Sequence, residues 1–243
     1  MKSHVNTIIV ALAVIIAAAF IGRSYAKRGK ANESISVTGL GEESFTSDLI
    51  VWKASFSTSG ADLKQASSDL KMKRDKIKKY LTNKGVKENE IVFNSVNIQK
   101  LYSNTYDNYG NVQSSFFNGY SLSQTVRVES KDVNKIEAIS REITELINQD
   151  IELESFAPDY YYTKLAELKI KMIENATKDA KLRAEKIAEN SGSDLGSLKK
   201  ADMGVIQITA QNSAEDYSWG GSFNTSSKMK TATITIHLEF NVD

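Results

Sequence analysis

The chain has 243 residues, 41% of them hydrophobic and 25% charged, with a formal net charge of +1. That composition suits a folded core and gives no overall electrostatic reason to expect nucleic acid as a partner. It has no cysteine and only two histidines, His4 and His237, which removes thiol chemistry and argues against His-built metal sites or a Ser-His-Asp triad.

The first stretch, Thr7 to Gly22, reads TIIVALAVIIAAAFIG and is flanked by Lys2 and by Arg23, Lys27, Arg28 and Lys30. Its length lies between a spanning helix and a signal-peptide core. We expect a transmembrane or signal helix over residues 1–30 with a basic tether. The sequence leaves open an uncleaved anchor or cleavage after Ser24-Tyr25-Ala26. Charge alone would keep the body on the cytoplasmic side.

Ile35 to Gly41 reads as a short strand running into glycines, and Leu49 to Ser59 as a strand with Ile50, Trp52, Ala54 and Phe56 on one face. A helix is predicted from Ala61 to Lys84, inner stripe Leu63, Ala66, Leu70, Ile77 and Leu81, with Gly85 past its end. Strands follow at Ile91–Lys100 and Phe116–Glu129, separated by a polar loop, Tyr102–Ser115. A second helix is expected over Lys131–Ile147 and a strand at Ile151–Phe156.

The longest helical signal runs from Asp159 to Ser191. Leu168, Met172, Ala176, Ala180, Ala184 and Ala188 recur every four residues, a small-residue stripe suited to close packing on a sheet. Glu167/Lys171, Glu174/Lys178 and Asp179/Arg183 stand in the favourable order on the opposite face, Asp159 is placed to cap the start, and Gly192 the end. Strands at Met203–Ala210 and Met229–Val242 close the chain, the latter alternating cleanly from Ala232 to Val242, with a polar hairpin, Gln211–Lys228, between them. The element order repeats, and predicts an α+β domain over 31–243: one antiparallel sheet with helices packed on one face, built from two strand-helix-strand-strand units.

Three motifs carry a family likeness: Val37-Thr38-Gly39-Leu40-Gly41, then Lys84-Gly85-Val86 before Glu90-Ile91, then the Ala176–Ala188 helix followed by Leu195-Gly196. In this order and spacing they resemble the SIMPL-domain family of bacterial envelope proteins. The resemblance implies an extracytoplasmic protein without enzymatic activity, loosely linked to envelope or oxidative stress, and a large homo-oligomer. It implies no catalytic residue and no cofactor. A Pro-Asp pair common after the family's first strand is here Ser47-Asp48, so the aspartate alone matches.

Few residues suggest chemistry. Glu42, Glu43 and Asp48 read as a solvated cluster, Asp107–Asn111 as a turn, and His237 as a surface histidine. Gly39 and Gly41 make only a fragment of a phosphate-binding motif. The stronger signal is aromatic: Tyr102, Tyr106, Tyr109, Phe116 and Phe117 in one loop, Tyr217, Trp219 and Phe223 in the other, set among Ser, Asn and Gly. That mixture suits subunit or partner contact, with glycan binding or plain loops as alternatives. Tyr160-Tyr161-Tyr162 should open the long helix.

Overall fold

The computed structural model describes residues 11–22, 33–216 and 218–242. A helix, α1, covers residues 11–22 with every residue exposed. No helix among the described residues is long and apolar enough to cross a membrane, so the expected spanning helix is not borne out. Residues 7–10 of the apolar segment and the basic tether at 23–32 lie outside the described residues.

The body is α+β and its named strands all pair antiparallel, but it contains two sheets where the sequence suggested one. The larger sheet joins β2 (Leu49–Gly60), β3 (Ile91–Phe93), β4 (Asn97–Tyr106), β5 (Val112–Ser130), β6 (Leu153–Ser155) and β7 (Asp159–Tyr161). Ile50, Trp52, Ala54 and Phe56 of β2 and Leu122, Val126 and Val128 of β5 supply its inner face. Ala66, Leu70, Ile77 and Leu81 of α2 (Leu63–Asn83) and Val133, Ile136 and Ile139 of α3 (Val133–Glu142) cover it. Asp62 starts α2, its carboxylate accepting from Gln65 N at 2.8 Å. After α3 the predicted helix tightens into a 3₁₀ stretch, Ile143–Gln149, ended by Asp150 at φ 61°.

The smaller sheet orders β1 (Ser34–Thr46), β10 (Met229–Val242) and β8 (Leu195–Met203), with β9 (Gln207–Ala210) also pairing β10. It packs on α4 (Leu165–Ser191) in a second core. The alanine stripe is buried as its period predicts, and its reason is now visible. A Cβ on Gly39 would stand 2.1 Å from the Ala176 carbonyl oxygen, and one on Gly41 2.3 Å from that of Met172. The Gly-x-Gly strand and the alanine ridge therefore fit backbone to backbone. Glu174–Lys178 and Asp179–Arg183 pair as expected, whereas Lys171 turns to Glu43 at 2.7 Å.

The two-unit reading is half right. β2, α2, β3, β4 and β5 form the first unit within one sheet. The second unit's opening strands, β6 and β7, instead pair with β2 of the first, and β1 takes their place beside β10 along a register from Ser34↔Asn241 to Thr46↔Met229. Here too the long helix departs from expectation: it begins at Leu165, after Lys164, and Asp159 caps nothing. Tyr160-Tyr161 lies in β7, opposite Ile50 and Leu49, with Tyr160 buried in the first core. Aromatic residues favour an extended, half-buried strand over a helix's first turn. Gly192, at φ 75°, does end α4 in the left-handed region.

Candidate functional site

The predicted loop Tyr102–Ser115 is instead a β-hairpin. β4 runs on to Tyr106 and β5 begins at Val112, leaving a turn over Asp107–Asn111. The Asp107 carboxylate accepts from Tyr109 N at 2.8 Å and Asn111 N at 2.9 Å, and Gly110 takes φ 83°. Those amide donors, Asn111's first, hold the Asp107 carboxyl below the usual carboxylate range. The expected turn at Asp107–Asn111 is present, and the residues expected as loop on either side of it pair as a two-stranded ribbon.

β2 ends at Gly60, opposite Tyr120. Gly119, at φ 112°, marks the exit: a Cβ there would sit 2.5 Å from the Gly60 carbonyl oxygen. Beyond that point β4 and β5 have only each other, so both edges of the ribbon are open among the described residues. The face continuing from buried Leu122 carries Tyr120, Phe117 and Tyr102. Their rings stack edge to face, Phe117 lying 5.1 Å from Tyr120 and 6.0 Å from Tyr102. No helix among the described residues covers this continuation. Tyr102, Tyr106, Tyr109, Phe116 and Phe117 are all more than half exposed. Between Lys100 and Arg127, Asp107 is the one charged residue.

The second aromatic group lies on the smaller sheet, and no ring pair joins it to the first among the described residues. Its turn is pinned by Gln207: Oε1 accepts from Ser218 N and Ser222 N, and Nε2 donates to the Ser218 carbonyl at 2.8 Å. Trp219 stands fully exposed at the tip. It borders a shallow groove of about 380 Å³ with Leu40, Val205, Thr233 and Thr235. Phe223 is inward by comparison, its ring centroid 5.6 Å from the Lys230 Nζ. Tyr217 lies outside the described residues.

Lys230 is a site that sequence reasoning missed, since it occupies a core position of an otherwise apolar alternation. It is 1% exposed and donates to the Tyr160 carbonyl, joining the two sheets. Burial pushes its ammonium down to about 8, against the partial support of Asp159 and Glu215.

The acidic residues do not converge. Glu43 pairs with Lys171, Asp48 accepts from Thr163, and His237 Nδ1 lies 3.2 Å from Thr38 Oγ1. Among the described residues no group of three or more His, Asp or Glu side chains is placed to hold a metal ion.

The family model described as "SIMPL: Protein of unknown function (DUF541)" matches residues 35–242, and the chain belongs to this family. No curated protein matches it.

Proposed function

We propose that this SIMPL-family chain is a non-enzymatic scaffold of the bacterial cell envelope. It assembles into a large homo-oligomer through the β4–β5 arm and is held at the membrane, on its extracytoplasmic side, by the apolar segment Thr7–Gly22. The observation that carries the reading is the arm: a two-stranded ribbon whose only charge, Asp107, lies in its turn, with open edges and uncovered aromatic faces. A lone two-stranded ribbon is marginal in water. Open strand edges are ordinarily guarded by lysine, proline or inward charge, and Leu101–Tyr106 and Val112–Gly119 carry none. A second copy offers the same uncharged edge without repulsion. Exposed Leu12, Ile15, Ile16 and Phe20 of α1 support the tether. The rival reading, a monomeric module presenting both aromatic groups to one glycan or protein, is not favoured, because the groups sit on different sheets.

The test is particle mass, by light scattering and electron microscopy, on full-length protein in mild detergent. Beside it runs a variant in which residues 101–119 are replaced by a two-residue turn. A discrete large assembly that falls to monomer in the variant is the expected result. A monomeric parent, or an assembly indifferent to the arm, removes the reading.

A further inference from the structure

The net charge of +1 conceals an uneven distribution. α2 carries Lys64, Lys71, Lys73, Arg74, Lys76, Lys78 and Lys79 against Asp69 and Asp75. α4 is nearly balanced, and most of its cations meet a carboxylate: Lys171, Lys178, Lys181, Arg183 and Lys186 all do. On α2 only Arg74 and Lys78 do so among the described residues, with Asp75 and Glu88. Lys73 and Lys76 donate to the carbonyls of Ser57 and Gln149.

Positions 64, 67, 68, 71 and 74 fall on one stripe of the helix. There Lys64, Ser67, Ser68, Lys71 and Arg74, with Gln124 of β5, line a groove of about 380 Å³. Neither lysine and neither serine makes a side-chain hydrogen bond among the described residues. Arg74 places Nε and one terminal nitrogen on Asp75, leaving its other nitrogen. Gln124, 8% exposed, gives Nε2 to the Asn94 carbonyl at 2.7 Å, and its oxygen accepts no hydrogen bond among the described residues. Lys64 and Lys71 meet no carboxylate among the described residues and Arg74 shares only part of its guanidinium with Asp75, so an anion between the three relieves their repulsion.

We infer that this groove binds a phosphoryl group carried on a small polyol. The cations and serine hydroxyls match the several acceptor oxygens of a phosphate. The Gln124 oxygen, with Leu70 and Val96 beside it, suits a hydroxylated carbon chain. The volume exceeds what a bare phosphate fills. Glycerol phosphate is the simplest compound with this chemistry, either free or as the headgroup of an anionic phospholipid. The inference does not depend on the arm or on assembly.

Full-length protein in non-ionic detergent would be titrated calorimetrically with glycerol 3-phosphate. In parallel, protein in neutral-lipid vesicles would be compared with protein in vesicles containing phosphatidylglycerol, by broadening of the headgroup phosphorus NMR line. The double variant Lys64→Glu with Lys71→Glu removes two lining cations. Lys79→Glu changes the charge of the same helix outside the groove. The expected result is binding of at least one probe, weakened tenfold or more by the double variant and kept within twofold by Lys79→Glu. Response to the soluble compound assigns a free ligand, and response to the vesicles alone assigns the headgroup. Absence of both responses overturns the inference. Equal loss in both variants overturns it too, since that is the behaviour of diffuse helix charge.

Discussion

The Asp48 carboxylate accepts twice from Thr163, at 2.7 Å from the backbone N–H and at 2.7 Å from Oγ1, across 115 residues of chain. Asp48 stands where the chain leaves β1 for β2, and Thr163 where β7 gives way to α4. One side chain thus fastens the two places at which the polypeptide passes between sheets. Asp48 N donates to the Tyr161 carbonyl at 3.0 Å and reinforces the same junction.

Asp48→Ala removes both acceptors and leaves the exposed Thr163 donors to water. We expect a loss of about 1–3 kcal/mol in chemical denaturation. Asp48→Asn, which keeps one acceptor oxygen, should lose less. Equal stability of Asp48→Ala and the parent would show that the junction does not depend on this pair.

Gly39→Ala drives a methyl group into the α4 backbone, and the strand cannot yield without moving its pairing with β10. We expect a cost of about 3 kcal/mol or failure to fold. The control is Gly60→Ala, whose added methyl meets its nearest neighbour at 3.6 Å. That variant should fold normally, and circular dichroism melts will separate the two.

Lys230 gives the smaller sheet a pH dependence. Its folded value is near 8, below the 10.5 of an exposed lysine. Below pH 8 both the folded and unfolded chains hold the proton, so stability is flat with respect to this group. From about 8 to 10.5 the unfolded chain keeps a proton that the folded chain has released, so rising pH favours folding. Relative to Lys230→Met, the parent should gain about 3 kcal/mol across that window. Parallel stability curves for the two proteins would refute it.

Ser103→Lys puts a charge on the arm's β4 without touching either core. Edge pairing with a second copy should weaken while the monomer keeps its melting temperature. Sedimentation velocity reads the first effect and calorimetry the second. An unchanged particle would move the assembly contact elsewhere.

Trp52 is wholly buried, with Nε1 bonded to Ser155 Oγ at 3.0 Å, while Trp219 is wholly exposed. Trp219→Phe should abolish the acrylamide-quenchable fluorescence and alter stability by less than about 0.5 kcal/mol. Gln207→Ala unpins the turn and should lower the anisotropy of the Trp219 emission.

Much of this architecture could be read from periodicity, because whether a residue faces in or out along a strand or helix is a local property. The alternation from Ala232 to Val242 placed β10. The four-residue spacing from Leu168 to Ala188 placed the buried stripe of α4, and Gly192 its end. The boundaries that failed did so where local propensity met a distant partner: Tyr160 became a strand because β2 stood ready to pair with it. The Tyr102–Ser115 stretch differs: its turn at Asp107 is local, and the polar residues on either side of it pair with each other as a ribbon.

What the sequence determined by itself was the α+β class, the core faces and the family, since these rest on patterns repeated over neighbouring residues. Tertiary structure alone decided which strands share a sheet. It brought β1 beside β10 across some 200 residues, split the core in two, buried Lys230, and left the arm without cover. Those outcomes depend on hydrogen-bond partners and packing surfaces supplied from far along the chain. No local spacing encodes them.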